Sequence, residues 1–203
     1  MNSINKILEI SSSALGYDIH SLPDGIDVSL LRLLSYKNGF FAFENSLEVF
    51  PCGESFLSYP LHKWNDEALW RGAYENLAPI GICFAQDAFG GQFVFSDYIY
   101  TFDPETGGVE EFAINLEEWA DNVLNDYEIS TGYPVAHKWQ SEHGRIAPRN
   151  RLVPIKPFVL GGEFKIDNLV QMDAVKSLKL RGSLAQQIQN APDGSNIIYE
   201  VTE

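Results

Sequence analysis

Aromatic side chains alternate with other residues in the middle of the chain. Residues 93–95 and 98–102 each place an aromatic side chain at every second position, and a repeat of two is typical of β-strands. Ser96-Asp97 predicts a tight turn between these runs, and the proline and glycines of 103–108 predict the next turn. Because strands joined by short turns run antiparallel, the segment predicts a meander sheet.

Helical spacing of apolar residues marks the flanking segments. Apolar side chains recur there three or four positions apart, each time after a polar residue that can cap a helix. The predicted helices cover residues 3–15, 28–37, 65–74 and 116–127, capped by Ser3, Asp27, Asn65 and Asn115. Glu118 completes a capping box with Asn115, and Trp119 lies on the buried stripe of the last helix. The pattern predicts an α+β fold in which helices flank an antiparallel meander sheet.

The pattern becomes less regular after residue 130. It predicts a helix over 135–143, a strand over 169–172, a helix over 184–189 capped by Ser183, and a last strand over 197–201. No repeat, low-complexity tract or flexible linker separates this part from the rest. We therefore divide the chain into an α+β core, residues 1–130, and a carboxy-terminal α+β extension, residues 131–203, which we expect to pack on the core as part of one globular unit.

Length and composition favour a protein that folds alone in the cytoplasm. The 203 residues are 45% hydrophobic and 13% aromatic, which is ample for a packed core. No run approaches the about 20 apolar residues of a membrane helix, and the amino terminus has no basic segment followed by an apolar one. Cys52 and Cys83 are too few for a disulfide framework or a Cys-x-x-Cys metal site, so we expect both to be buried.

The negative charge is concentrated in the core. Residues 1–130 contain 21 Asp and Glu against 5 Lys and Arg, a net charge of −16, whereas 131–203 contain 7 against 9, a net charge of +2, and the two sum to −14. This charge disfavours direct binding to nucleic acids and to anionic membranes. A basic protein partner would be attracted instead. Solubility alone is the competing explanation.

The sequence contains no recognisable catalytic or cofactor motif. His137 and His143 are six positions apart, about 120° away from sharing a helix face, so they are badly placed to bind one metal. The Gly-x-Ser-x-Gly of serine hydrolases is missing, and the glycines at 90–91 and 161–162 fit neither nucleotide-binding motif. Consecutive acids such as Glu110-Glu111 point apart on a strand. We therefore predict no metal, no cofactor and no catalytic residues.

Several short strings in a fixed order resemble a known family. They are FAQDxFGGQF at 84–93, FDPETG at 102–107, LEEW at 116–119, TGYP at 131–134, WQ at 139–140, HG at 143–144, RLVP at 151–154, FVLGGE at 158–163 and PDG at 192–194. Their order and spacing resemble the longer bacterial members of the SUKH superfamily, the Smi/Knr group. The resemblance implies an α+β domain that acts by binding, most often as an immunity protein that neutralises a toxin.

The main hypothesis is therefore a non-enzymatic immunity protein that binds and occludes a cognate protein toxin, and the acidic core favours a basic toxin. The expected contact residues combine carboxylates with two aromatic anchors. They are Asp66, Glu67, Asp87, Asp97, Asp103, Glu105, Glu117, Asp121, Trp64 and Trp70. The alternative hypothesis is an intracellular regulatory or scaffold protein of the cell-wall-regulator type. An enzyme would require a deep cleft with convergent titratable groups, which no local pattern shows.

Overall fold

Six strands form the central sheet of the computed structural model, which describes residues 2–19, 22–192, 197 and 199. Each strand pairs antiparallel with its neighbours in sequence, in the order β1 to β6. The strands are β1 Phe40–Ala42, β2 Leu47–Val49, β3 Ile82–Asp87, β4 Gln92–Phe95, β5 Ile99–Phe102 and β6 Val109–Ala113. The predicted α+β meander is confirmed. Its turns fall at Ser96-Asp97 and at 103–108, where the sequence predicts them.

Seven α-helices and a second, two-stranded sheet complete the described part of the chain. The helices are α1 Ser3–Ile10, α2 Val28–Tyr36, α3 Leu61–Trp64, α4 Leu116–Asn125, α5 Tyr127–Thr131, α6 Tyr133–His143 and α7 Ala174–Asn190. The second sheet pairs β7 Asn150–Pro154 with β8 Leu169–Asp173 in antiparallel register. A 3₁₀ segment, Arg71–Leu77, lies between α3 and β3. None of the helices within these described ranges is both long and apolar enough to cross a bilayer.

Both faces of the central sheet are covered. Successive side chains of β4 point to opposite faces, as in any strand. Phe93 packs edge-on against Trp119 of α4, at 5.8 Å between ring centroids. Gln92, the preceding residue, accepts a hydrogen bond of 2.8 Å from the indole Nε1 of Trp64 in α3. The core therefore has three layers, with α4 on one face of the sheet and α3, the 3₁₀ segment and α7 on the other.

The second face carries a buried polar network that joins core and extension. Glu48 of β2 is 1% exposed, accepts a hydrogen bond of 2.8 Å from Gln86 and another from Ser58, and pairs with Arg151 of β7, which is also 1% exposed. Burial lowers the pKa of Arg151 to about 9. Such a pair is stable only when both charges are present and their other hydrogen bonds are made.

The extension also shares apolar contacts with the core. Its own cluster, built around Trp139 and Leu152, includes Ala88 from the β3–β4 turn, and the Leu152 amide donates a hydrogen bond of 2.9 Å to the Ala88 carbonyl. Leu178 and Ala185 of α7 belong to the main core. These contacts fit the predicted division at residue 130 with a packed extension, which stays a prediction until the parts are tested separately.

Several predicted helix limits are wrong. The first helix ends at Ile10, before Leu15, and Asn2 caps it in place of Ser3. Asn65 ends α3 instead of opening a helix, because its side chain bridges to β3 through hydrogen bonds of 2.8 and 3.0 Å with the backbone of Cys83. The segment after it forms the 3₁₀ turns, and no α-helix runs to Tyr74.

The last helix is longer than predicted. It begins at Ala174 after an Asp173 cap, not after Ser183. Gly182 lies inside this helix, and a Cβ there would come within 2.8 Å of the Ala73 carbonyl oxygen in the 3₁₀ segment. Close helix packing therefore explains this glycine. The predicted strand over 197–201 falls outside the described residues except for 197 and 199.

Both cysteines are buried, as predicted. Burial raises the pKa of the Cys52 thiol to about 11 and that of Cys83 to about 12. Because the thiolate is the reactive form, both side chains are poor nucleophiles at neutral pH.

Candidate functional site

Exposed carboxylates surround the last strand of the central sheet. They lie on the β4–β5 turn, the β5–β6 hairpin and α4, and we call them the acidic edge. Its members are Asp97, Asp103, Glu110, Glu111, Glu118 and Asp121. In the described part of the chain β6 is the edge strand of the sheet, so these side chains border a row of backbone groups that pair with no further described strand.

The acidic edge lacks neutralising partners. Between positions 72 and 137 the chain holds 12 Asp and Glu and no Lys or Arg. Among the residues that the structure describes, no member of the acidic edge forms an ion pair with Lys, Arg or His. The pKa of the Tyr100 hydroxyl is raised by its hydrogen bond to Asp97, with Glu111 adding to the effect. The local field is therefore negative, which favours a cationic partner.

Some of these carboxylates also stabilise the fold. Asp103 accepts hydrogen bonds of 2.8 Å from the Glu105 amide and 2.7 Å from the Thr106 hydroxyl, and so holds the β5–β6 turn. Asp121 and the half-buried Glu117 accept hydrogen bonds from Ser3, which fixes the start of α1 on α4. A change at these positions would alter local structure as well as charge.

A cavity of about 430 Å³ opens beside the acidic edge, between the central sheet and the extension. Asp103 and Glu110 belong to both the acidic edge and the cavity lining. Asp87, Glu105 and Arg181 supply the other charged groups of the lining. The volume lies in the range of small-ligand sites, about 300–1,000 Å³.

Asp87 lies at the β3–β4 turn on one side of the cavity. Its Oδ1 accepts hydrogen bonds of 2.7 Å from the Phe89 amide and 2.8 Å from the Gly91 amide. Burial nevertheless raises its pKa to about 7, against the lowering effects of these hydrogen bonds and of the positive charge of Arg181. A carboxyl with this pKa changes its protonation near neutral pH.

Glu105 lies on the opposite loop and is 4% exposed. Its Oε2 accepts a hydrogen bond of 2.8 Å from the Val159 amide in the extension, whereas its Oε1 is buried without a partner among the described residues. Burial raises the pKa of Glu105. A buried acceptor without a donor costs free energy, so a donor brought to this oxygen would be stabilising.

Arg181 of α7 is 1% exposed and makes its hydrogen bonds to neutral groups. It donates 2.5 Å bonds to the Phe89 carbonyl and the Ser177 hydroxyl, and a 3.4 Å bond to the Ser177 carbonyl. The guanidinium therefore fixes α7 against the β3–β4 turn and faces two carboxylates, Asp87 and Glu105, at longer range.

Three phenylalanines form the apolar wall of the cavity. Phe158 and Phe164 stack with ring centroids 3.7 Å apart, and Phe89 meets both edge-on at 5.7 and 5.8 Å. Phe164 is 59% exposed, which places it at the cavity mouth. The faces of aromatic rings attract cations as well as apolar groups.

The structure brings only some of the predicted contact residues together. Asp87, Asp103 and Glu105 line one cavity, while Asp97, Glu117 and Asp121 lie elsewhere around α4 and the β4–β5 turn. Asp66 and Glu67 are exposed beside the 3₁₀ segment, outside both the acidic edge and the cavity lining.

The two predicted aromatic anchors are not surface residues. Trp64 is 0% and Trp70 is 1% exposed, because their rings pack against each other, tilted by 47° with centroids 5.8 Å apart, and cover the second face of the sheet. Their indole groups donate hydrogen bonds of 2.8 Å to Gln92 and to the Trp64 carbonyl. The expectation that they contact a partner is wrong. Asp87 and Glu105 are likewise buried or half-buried, so neither is part of an exposed acidic surface.

Sequence reasoning missed Arg181 and the three phenylalanines. No local pattern links position 89 with 158, 164 and 181, since the cavity forms only when the extension packs on the sheet. Within the described residues, no group of His, Cys, Asp and Glu side chains has the arrangement of a metal site.

Comparison with known proteins identifies the fold but not the family. No family model matches the chain, and no curated protein is similar to it. Among solved structures, the chain is similar to the crystal structure of Atu4351 from Agrobacterium tumefaciens, with a TM-score of 0.58 and 14% identity over 87% of this chain and 86% of that one. At this identity the similarity concerns the fold alone. The SUKH resemblance therefore stays a prediction.

Proposed function

We propose that this chain is a non-enzymatic protein-binding module of the SUKH type, and that it serves as an immunity protein that binds and occludes a cognate bacterial toxin. The observation that supports this proposal best is the acidic edge, whose exposed carboxylates have no cationic partners among the described residues. Keeping so many like charges together destabilises a compact protein through self-repulsion. A basic partner that neutralises them would offset this cost.

The position of the acidic edge suits recognition of another protein. Charge complementarity accelerates association and excludes partners of the wrong sign more than it adds affinity. The neighbouring cavity and its aromatic wall supply apolar area that can be desolvated at the centre of an interface. The acidic edge would thus attract the toxin, and the adjoining surface would hold it.

The test begins with the full-length chain, used to capture its partner from cells that encode it. We expect a basic protein that is toxic when produced alone and harmless when produced with this chain. The association rate of the purified pair should fall steeply as salt is raised, because exposed charges are screened over about 8–10 Å at physiological ionic strength. No toxic partner, or an association rate independent of salt, would contradict the proposal.

A matched pair of variants separates the acidic edge from total charge. Glu111→Lys reverses an exposed charge on β6, and Glu142→Lys makes the same charge change at an exposed position of α6. We expect Glu111→Lys to slow association several-fold at low salt and Glu142→Lys to have little effect. Equal effects would mean that net charge, rather than the acidic edge, attracts the partner.

A further inference from the structure

The cavity beside the acidic edge contains an unmet hydrogen-bonding requirement. Glu105 is 4% exposed, and its Oε1 has no donor among the described residues. Its Oε2 is already used by the Val159 amide at 2.8 Å. The terminal torsion of a glutamate is broad, so a small rotation would present Oε1 to a group that enters the cavity. The Phe158 amide is near enough to lower the pKa of Glu105, but it does not meet the geometry of a hydrogen bond to Oε1, so this oxygen can still accept from a donor.

The charges of the lining select the kind of donor. Among the described residues, four carboxylates line the cavity, those of Asp87, Asp103, Glu105 and Glu110, against one guanidinium, that of Arg181. Arg181 already donates to the Phe89 carbonyl and to both oxygens of Ser177. An anion would therefore meet an excess of negative charge and a cation that already has acceptors. A positively charged donor fits this set better.

The aromatic wall suits the stem of a long cationic side chain. Phe158 and Phe164 stack at 3.7 Å, and Phe164 is 59% exposed at the mouth. Lys and Arg bury apolar stems while their heads seek polar partners, and a guanidinium or ammonium group is attracted to an aromatic face. A volume of about 430 Å³ accommodates such a side chain.

We propose that this cavity is an anchor site for one cationic side chain, an arginine or a lysine, of the bound partner, with its head at Glu105 and its stem along Phe158 and Phe164. The inference rests on the proposed function in that a protein supplies the side chain, but the cavity can be tested without that protein. Glu105 then determines the specificity for a cationic side chain, although it is buried and does not belong to the exposed acidic edge.

The probes are three capped amino acids of similar shape. N-acetyl-arginine methylamide carries a guanidinium, N-acetyl-lysine methylamide an ammonium, and N-acetyl-citrulline methylamide a neutral isostere of arginine. Each is titrated into the isotopically labelled full-length chain while backbone amide NMR signals are followed. We expect saturable shifts at the Val159 and Phe164 amides with the cationic probes, and shifts at least about tenfold weaker in affinity with citrulline, a difference of about 1.4 kcal/mol.

The decisive variant is Glu105→Gln. Its amide oxygen can still accept from Val159, while its amide nitrogen turns the unmet acceptor into a donor. We expect cation binding to weaken at least about tenfold. Glu142→Gln removes one charge at an exposed position of α6, outside both the acidic edge and the cavity lining, and should leave binding unchanged. If Glu105→Gln does not fold, Phe164→Ala at the mouth should weaken the cationic probes several-fold without disturbing the core.

The outcomes separate this inference from the proposed function. Equal binding of the citrulline probe, or no saturable shift with either cationic probe, would overturn the anchor site. A partner complex that is weakened by Glu111→Lys but not by Glu105→Gln would overturn it too, while leaving the protein-binding function in place. Binding of the cationic probes without any toxic partner would support the anchor site and contradict the immunity function.

Discussion

Replacing Arg151 by methionine would leave Glu48 as an unpaired charge beneath the central sheet. Both residues are 1% exposed, and Glu48 would retain only its hydrogen bonds from Ser58 and Gln86. Methionine has a similar length and fills most of the space of the arginine stem. The substitution therefore tests the charge more than the packing.

The expected cost follows from the burial of the pair. Removing one partner of a buried ion pair destabilises a protein by about 3–5 kcal/mol, because the remaining charge is desolvated without compensation. The two hydrogen bonds that Glu48 keeps place Arg151→Met near the lower end, about 3 kcal/mol. Such a loss is a large part of the about 5–15 kcal/mol that stabilises a typical domain.

The measurement is urea unfolding followed by tryptophan fluorescence. Trp64 reports on this region because its indole donates a hydrogen bond to Gln92, which in turn donates to Gln86 in the polar network around Glu48. For an m value of about 3 kcal/mol per molar urea, the midpoint should fall by about 1 M. The double variant Glu48→Gln/Arg151→Met removes both charges and should recover most of the loss. Arg145→Met, at an exposed position of the extension, should stay within about 0.5 kcal/mol of the wild type.

Two results would refute this reasoning. A loss below about 1 kcal/mol for Arg151→Met would mean that water or a rearrangement compensates Glu48. Additive losses in the double variant would mean that the two charges do not interact, because contacting residues show coupling energies of about 0.5–3 kcal/mol.

Three further substitutions test local features. Asp87→Asn keeps the acceptor oxygen and removes the charge. Because burial raises the pKa of Asp87 from 3.8 to about 7 in the folded protein, the contribution of this carboxyl to the free energy of unfolding is full below pH 3.8 and is lost as the pH rises to 7. The variant should not show this pH-dependent decrease in the free energy of unfolding. Gly132→Ala should cost about 2–3 kcal/mol in urea unfolding, because φ is 71° and the new Cβ would come within 2.3 Å of the Phe89 ring. Asn115→Ala should cost about 1 kcal/mol through loss of the α4 cap, measured by the same unfolding.

Each of these has its own control. The pH profile of Asp87→Asn is compared with that of Asp18→Asn, an exposed carboxyl, and parallel profiles of wild type and Asp87→Asn would contradict the raised pKa. Gly161 has nearly the same left-handed backbone, φ 81° and ψ 23° against 71° and 18° at Gly132, and a Cβ there would meet only the Lys156 Nζ at 3.7 Å, so the excess loss of Gly132→Ala over Gly161→Ala measures the contact with Phe89. A cost below about 0.3 kcal/mol for Asn115→Ala would mean that water replaces the cap.

The parts of the fold that depend on neighbouring residues could be predicted from the sequence. The β3–β6 meander could be predicted because the two-residue repeat and the turn residues indicate the same structure. Asn115 and Asp27 cap the predicted helices for the same reason, with side chains that accept from the first turn. Burial of Trp119 follows from its place on one helix stripe.

Tertiary contacts decided the remaining features. Trp64 and Trp70 lie beside charged residues in the sequence, but in the fold both side chains pack in the core over the second face of the sheet. The close approach of Gly182 to Ala73 joins segments that are far apart in the sequence, so no local pattern shows it. The cavity combines the β3–β4 turn, the β5–β6 loop and the extension, so no spacing in the sequence could reveal it.

The pairing of Glu48 with Arg151 also sets the order of events during synthesis. More than a hundred positions separate the two residues, and at about 5–20 residues per second the arginine emerges from the ribosome roughly 5–20 s after the glutamate. Throughout that interval Glu48 has no cationic partner, although Trp64 and Trp70 have already emerged to cover part of the second face. We therefore expect the first two thirds of the polypeptide to reach their final packing around Glu48 only after β7 has been synthesised.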